Sequence, residues 1–494
     1  MRTGFPRVPP ALAALLLATG IGLFYLGTTR RGLPWMDDYV QYISHAANIA
    51  DGRPYAATGY IFNPHYPYAG PVAYPPVFPL ALAPLYKVFG LDLRVMKAFL
   101  ITAFCGFLYA AFLLFRRELG WKGALAAEAL VGLNPVFWEF KDNVYPDLLF
   151  LLFAYAALAA FERARGAENA GGRWKGAAFA AGLLLYLAYG TRTVGALLAA
   201  AFLVSDLARG RGRPSGTMLL AGGTALAGAL LQGALLGGGG AYVSEALSWF
   251  GGLSPLGVIL DNAATYPALL ASLFDNGFFP RAAWALLAAV LALAAAGFLY
   301  RARREFGALE AYAALNPLFL LVCPLMDGIR YCFPLIPLLA YYAFLGWRAL
   351  AGRLRAPAYA AAALPALVAL SYSGAYARAP YGDMKSGAGG AAARELFAFV
   401  SSATAPGDAV VFRKPRSLAF FTGRRSSMYY FPPDDAELLA YFERLGAACV
   451  VSGPFEEDRL YLEPFLARNT RSFRRVFYNG EFSAYRPLPA PGRK

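Results

Sequence analysis

Apolar residues fall in long blocks along most of the chain, separated by short polar connections. The blocks run approximately over Val8–Thr28, Val95–Phe115, Gly123–Phe140, Val144–Phe161, Lys175–Gly190, Val194–Leu207, Met218–Leu236, Pro280–Tyr300, Gly307–Pro324, Tyr331–Trp347 and Pro357–Tyr372. Each is near the roughly 20 residues a helix needs to cross about 30 Å of hydrocarbon, with 175–190 and 194–207 the shortest fits. The pattern predicts an all-α polytopic membrane bundle of about eleven transmembrane helices.

Two stretches break the pattern. In the first, Asp38–Ala50 (DYVQYISHAANIA) sets Val40, Ile43, Ala47 and Ala50 at helical spacing among polar residues, which predicts an amphipathic helix lying along the membrane interface. Asp51 and Gly52 end it. Arg53–Tyr74, rich in Pro, Tyr, Gly and Asn, suits a structured binding loop, and Leu80–Phe89 suits a half-inserted segment. Gly237–Gly240 marks a hinge before a second outer loop with Asp261, Asn262, Asp275 and Asn276. In the tail, helices are expected over Ala391–Thr404, Asp435–Leu445 and Glu457–Arg468. Strands are expected over Ala409–Phe412 and Cys449–Ser452, and as a hairpin, Phe473–Tyr478 and Glu481–Arg486, about Asn479–Gly480. The expected division is a transmembrane domain over 1–375, including the first outer loop 30–94 with its interfacial helices, and a small C-terminal α/β extramembrane domain over 390–488. A lid or docking module is the expected role of the latter.

Composition agrees. Of 494 residues, 58% are hydrophobic and 15% charged, against about 45–50% and about 25% in soluble domains. A soluble enzyme, a disordered chain and a disulfide scaffold are excluded. The formal charge of +15 raises nucleic acid as a partner, but the positions of the basic residues decide otherwise. With Arg2 and Arg7 placed in the cytoplasm, every second connection is short and basic: Arg116, Arg117 and Lys122; Arg163, Arg165, Arg173 and Lys175; Arg209, Arg211 and Arg213; Arg301, Arg303 and Arg304; Arg348, Arg353 and Arg355. This is the positive-inside pattern, so the charge reads as topology and no nucleic-acid partner is expected. The close pairs of blocks around Asn143 and Arg192 leave re-entrant hairpins open. With no small-residue cleavage site after it, the first block is expected to be retained as an anchor. The four cysteines form neither C-x-x-C nor a Cys/His cluster, so no metal site or disulfide framework is expected. Ala-, Gly- and Arg-rich usage suggests a bacterial inner membrane, which puts the tail in the periplasm.

Ionisable groups at a membrane are costly and usually have a task or a partner. Here they gather on the outer face: Asp37 and Asp38 after the first block, Glu139, Lys141 and Asp142 in a connection, Asp147, Arg192, and Asp327 with Arg330. Carboxylates together with guanidinium groups beside lipid suit transfer of a sugar from a polyprenyl phosphate. Fixed cations such as Arg192 and Arg330 would stabilise the charge building on the departing phosphate, with Lys141 a third candidate. A carboxylate would take the proton of the incoming hydroxyl or amine. Tyr66 and Tyr74, with His65, are candidates for contacting sugar or acceptor, although an aromatic interfacial belt accounts for the same loop. For Asp37 and Asp38 the alternative is capping of the interfacial helix. For Arg192 and Arg330 it is interface anchoring or pairing with Asp327; Asp147 would find a partner in Lys141. Lys87, Arg94 and Lys97 are expected to snorkel to the surface, and Glu139 and Asp142 to be solvated.

These residues carry a family likeness. The run WMDDYVQYISHAANIADG (Trp35–Gly52) resembles the acidic pair and interfacial helix that follow the first span in GT-C-type membrane glycosyltransferases of the protein O-mannosyltransferase and lipid A aminoarabinose transferase group. Tyr74–Leu80 resembles their Pro-Pro run, Arg330–Pro334 their basic-aromatic run near a late span, Thr191–Thr193 their arginine step, and Tyr145–Phe150 the start of one of their spans. The resemblance implies that Asp37 is the catalytic base or acceptor-orienting carboxylate and Asp38 its partner. It also implies an inverting enzyme that needs no nucleotide or other cofactor, its donor a polyprenyl-phosphate sugar and its acceptor a lipid, glycan or protein. Two departures stand out: Asp38 replaces the commoner Glu, and Tyr74 stands where the aminoarabinose enzymes have lysine. The competing classes are a polytopic transporter or lipid flippase, expected to show internal repeats and broken helices near the midplane, and a membrane scaffold for envelope assembly.

Overall fold

The computed structural model describes residues 8–32, 34–236, 253–324, 328–353, 362–384 and 387–488. Asp327, Arg2, Arg7, Arg355 and the Gly237–Gly240 hinge lie outside the described residues. The chain forms two compact units, one built on Met1–Thr29, Leu93–Gly237 and Gly252–Tyr381, the other on Arg30–Asp92 and Gly382–Lys494.

The first unit is a helical bundle. Among the described residues six helices are long and apolar enough to cross a membrane: Pro10–Gly27, Leu93–Gly132, Gly216–Leu235, Pro255–Phe274, Pro280–Ala302 and Leu335–Arg353. They are the helices of a multi-pass membrane protein. Leu93–Gly132 is two helices in one, since Gly120 breaks it with φ of 70°, a left-handed conformation that glycine adopts without penalty. Asp147–Asn169, Lys175–Thr191, Ala196–Arg209, Ala308–Val322 and Ala363–Arg378 are more charged or shorter. The expected outer loop with Asp261 and Asn262 is instead largely helix, Pro255–Ala271, capped by the Ser254 hydroxyl. Buried Asn262 explains why: its amide donates to the carbonyls of Leu320, Leu321 and Cys323 at 2.8–3.0 Å, satisfying the open end of helix Ala308–Val322.

Nor are all the basic connections merely topological. Arg165 pairs with Asp206 (2.7 Å) and Glu168 (3.0 Å), and Arg209 with Glu162 (3.0 Å). Glu168 also accepts the backbone N–H groups of Gly216 and Thr217, anchoring the start of helix Gly216–Leu236 by its positive end.

In the second unit a six-stranded sheet has the order β1-β3-β2-β4-β6-β5, with β1 Tyr60–Ile61, β2 Ala409–Val411, β3 Arg425–Ser427, β4 Ala447–Ser452, β5 Phe473–Tyr478 and β6 Ser483–Pro487. The first four positions are parallel, and β6 and β5 close the sheet antiparallel. Alternation along the strands sends Val410 and Val451 to one apolar layer and Val411 and Val450 to the other.

This corrects the expected division at 30–94. Strand β1 of that loop pairs with β3 (Tyr60 opposite Ser426, Ile61 opposite Ser427), and Trp35 lies edge-on among Phe397, Phe412, Phe455 and Phe482 at 5.6–6.3 Å. A two-residue strand has too little periodicity to be read from sequence, and the loop folds with the tail. The expected helix at Glu457–Arg468 is a π-helical turn, Asp458–Leu462, running into helix Glu463–Arg468.

In the first unit, helices Pro280–Ala302 and Leu335–Arg353 cross at facing glycines. A Cβ on Gly297 would overlap the Tyr342 carbonyl oxygen, and one on Gly346 that of Leu293. Close backbone approach of this kind holds helices together in lipid. Gly346→Ala is expected to destabilise the bundle by about 1–3 kcal/mol. Gly20→Ala, where nothing stands within 4 Å, should be neutral or slightly stabilising; thermal melting of both variants in detergent checks this.

Candidate functional site

The acidic pair predicted from sequence is built into the second unit. Trp35 anchors the chain in the phenylalanine cage, and two residues later Asp37 turns to helix Pro415–Thr422. Its Oδ1 accepts from the Ser417 backbone N–H and hydroxyl, both at 2.9 Å, and its Oδ2 from the Arg416 N–H at 3.1 Å. Asp37 makes no side-chain cap for helix Asp38–Ala50. Its carboxylate instead serves the unsatisfied N–H groups and positive end of a helix 380 residues away in sequence.

Asp38 meets the side chain of Arg416. Its Oδ1 accepts from an Arg416 guanidinium nitrogen at 2.6 Å and from the Tyr74 hydroxyl at 2.9 Å. Arg416 is 1% exposed. Its other terminal nitrogen donates to the Pro71 carbonyl at 3.1 Å, and its charge lies over the rings of Tyr60 (4.7 Å) and Tyr74 (5.3 Å). A guanidinium is the cation suited to such a place, because it stacks on aromatic faces and stays protonated when desolvated. Gly70 has φ of 87° and lies so close that a Cβ there would be 2.6 Å from an Arg416 nitrogen. Burial pushes the Tyr74 phenol well above its ordinary range, with Asp38 adding to the rise. Lys414, beside the pair, is held below its ordinary range by burial, which outweighs the pull of Asp37.

His45 supports Tyr74 from behind. Its Nδ1 lies 2.8 Å from the Tyr55 carbonyl, and its Nε2 accepts the Tyr74 N–H at 3.3 Å, so the neutral Nδ1–H tautomer satisfies both contacts. Burial pulls its pKa down to about 4.

Tyr74 thus belongs with the acidic pair, whereas the other two residues expected to contact sugar form a second patch. His65 stacks on Tyr430 at 4.6 Å, and Tyr66 meets Phe431 edge-on at 5.6 Å. Arg416 was missed in the sequence; the run Arg413-Lys414-Pro415-Arg416 was a basic cluster that could have drawn attention.

In the first unit, Arg192 and Arg330 come together on one carboxylate, that of Asp147, which is 1% exposed. Arg330 donates to Asp147 Oδ2 at 3.0 Å, and Arg192 pairs with Oδ1. Arg330 lies 3.9 Å over the Tyr145 ring and Arg192 5.1 Å over Tyr331. The partners of Asp147 are these arginines, where Lys141 was expected. Lys141 is fully buried, 2.9 Å from Asp142 and 4.0 Å over the Trp138 ring. Lys97 approaches the same Asp142 at 3.8 Å. Lys97 therefore does not snorkel and Asp142 is not solvated, because each neutralises the other out of water. In each cluster two cations approach one carboxylate.

No protein-family model matches the chain, and no curated protein matches it in sequence. Solved structures do match in fold. ArnT from Cupriavidus metallidurans, bound to undecaprenyl phosphate, aligns with 96% of this chain and 97% of its own at a TM-score of 0.55 and 14% identity. The archaeal oligosaccharyltransferase AglB from Archaeoglobus fulgidus, in complex with an inhibitory peptide and a dolichol-phosphate, aligns with 97% of this chain and 74% of its own at 0.59 and 16%. The same oligosaccharyltransferase in its apo form aligns at 0.56 and 14%. The chain has the fold of the GT-C membrane glycosyltransferases, as its sequence resemblance implied.

Two outcomes are expected here. Arg416→Ala removes the partner of Asp38 and the filling between two tyrosines; with Asp38 partly exposed, the loss should be about 2–3 kcal/mol of stability. Arg416→Lys should recover only part of it in a chemical-denaturation series. Separately, unfolded histidine titrates near 6.5 and His45 near 4, so the unfolded state takes up the proton first. Stability should fall as pH drops from about 6.5 to 4, and melting curves of His45→Gln should show a shallower fall.

Proposed function

We propose that the protein is a membrane glycosyltransferase that moves a sugar from a polyprenyl-phosphate carrier to a lipid, glycan or protein acceptor. The observation that carries this reading is the pair Arg192 and Arg330 on the single buried carboxylate of Asp147, in a fold whose solved members include proteins bound to polyprenyl phosphates. The shared carboxylate fixes both guanidinium groups in place, and this reading gives them the donor phosphate to bind. As the bond to the anomeric carbon breaks, charge grows on the phosphate oxygens, and preset cations lower the barrier without reorganising. Lys141, buried against Asp142 and Lys97, adds positive potential in the same unit.

The hydrogen bonds of the acidic pair favour the second of the two roles expected for Asp37, the orienting one, and leave that of base to Asp38. Both oxygens of Asp37 are occupied by helix Pro415–Thr422, which suits an orienting carboxylate. Asp38 accepts through Oδ1 alone, so among the described residues its Oδ2 is open to take the proton of an acceptor hydroxyl or amine. The acceptor O–H or N–H bond breaks as its oxygen or nitrogen bonds to the anomeric carbon, and the polyprenyl phosphate leaves with inversion of configuration. In this reading about eleven crossings set the protein in a bacterial inner membrane, with the α/β unit in the periplasm.

Purified protein with a synthetic polyprenyl phosphosugar and labelled acceptors provides the test. Arg192→Ala and Arg330→Ala are each expected to slow transfer by about 10²-fold. Asp38→Asn is expected to abolish transfer and also to lower the melting temperature, since Arg416 loses its charged partner, so turnover is compared at a temperature where both proteins are folded. Unchanged turnover in the Arg192/Arg330 double variant would refute the phosphate role. Unchanged turnover in Asp38→Asn would return the base to Asp37.

A further inference from the structure

The second unit contains a cleft of about 200 Å³ that the transfer chemistry leaves unused. It opens between the segment Tyr429–Pro432, the π-helical turn Asp458–Leu462 and the helices at Asp435 and Arg468. Its aromatic wall is held rigid from behind. Tyr66 packs edge-on against Phe431, and His65 stacks on Tyr430, tilted 17°. The Tyr461 ring faces Phe431 at 4.5 Å, tilted 41°, and remains 51% exposed. The π-helical turn carries Tyr461 and is fixed at its start by buried Asp458, which accepts from the Tyr429 hydroxyl and from the Gly453 N–H at 2.6 Å. Such turns are poor in backbone geometry and concentrate at functional sites. On the opposite wall Arg468 makes a two-pronged pair with Asp435, at 2.7 and 3.0 Å, and Asn469 joins the same carboxylate at 2.9 Å.

These walls ask for a ligand with two characters. A fixed, half-exposed aromatic ring presents a negative π face that attracts weakly positive C–H bonds. An adjoining guanidinium–carboxylate pair presents donors and acceptors together, which a hydroxylated edge can use. A hydrocarbon tail would strip water from that ion pair and give nothing in return. A peptide segment would need a groove longer than a cleft of about 200 Å³ provides. A sugar ring has an apolar C–H face, a hydroxylated edge and a fitting size. We propose that this cleft binds one saccharide residue, its ring stacked on Tyr461 and Phe431 and its hydroxyls on Asp435 and Arg468. Of the aromatic residues expected to contact sugar, Tyr66 and His65 then act by bracing the wall.

The proposal concerns binding and needs no turnover, so it stands or falls apart from the transferase reading. The test is saturation-transfer NMR on the full-length protein in detergent, with no polyprenyl donor. The methyl glycosides of glucose, galactose, mannose and N-acetylglucosamine serve as probes. Saturation should reach the ring C–H protons of at least one glycoside, and Tyr461→Ala should weaken that glycoside about tenfold or more. Tyr461→Ala should melt at the wild-type temperature, because the ring is half in solvent. Failure of all four glycosides to receive saturation would overturn the proposal, and so would equal binding by wild type and Tyr461→Ala.

Discussion

One buried guanidinium organises the second unit. Arg416 is taken out of water, and a charge in that position needs an opposite charge and hydrogen-bond acceptors close by. Those partners come from a distant part of the chain: Asp38, the Pro71 carbonyl, and the rings of Tyr60 and Tyr74. The loop after the first helix and the C-terminal tail must therefore fold together. Trp35 in its cage of phenylalanines and the short pairing of β1 with β3 act in the same direction. The acidic pair inherits its orientation from this assembly: Asp37 is turned to the helix that carries Arg416, and Asp38 to its side chain.

The first unit solves a similar problem with the signs reversed. Asp147 is the buried anion there, and Arg192 and Arg330 converge on it from two other elements. Asp142 does the same for Lys97 and Lys141. Rings beneath Arg192, Arg330 and Lys141 hold these cations in place at the cost of little conformational freedom. Clusters of this kind are rigid before a ligand arrives, which is the property electrostatic catalysis requires.

Both units thus use aromatic residues to hold charge in dry surroundings, and the cleft beside Tyr461 uses them a third way, as a surface. The loop Arg53–Tyr74 contributes to more than one of these sites: Tyr60 and Tyr74 lie against Arg416, while His65 and Tyr66 brace Tyr430 and Phe431. Its tyrosines Tyr60, Tyr66 and Tyr74 all make contacts within the unit.

Features that depend on local pattern were legible before any fold was known. Apolar blocks and their basic connections gave the membrane class, since hydrophobic length and Lys/Arg bias are read by the bilayer residue by residue. Helical spacing gave Asp38–Ala50 and Asp435–Leu445, and Asn479–Gly480 gave the hairpin of β5 and β6. The motif around Asp37 and Asp38 pointed to the fold. Pairing was not legible in this way. That Asp147 takes Arg192 and Arg330, that Lys97 is buried with Asp142, and that Arg416 exists as a partner at all depend on contacts between segments tens to hundreds of residues apart. A charge carries no label of its partner in sequence; burial makes the partner obligatory, and burial is settled only when the chain has folded.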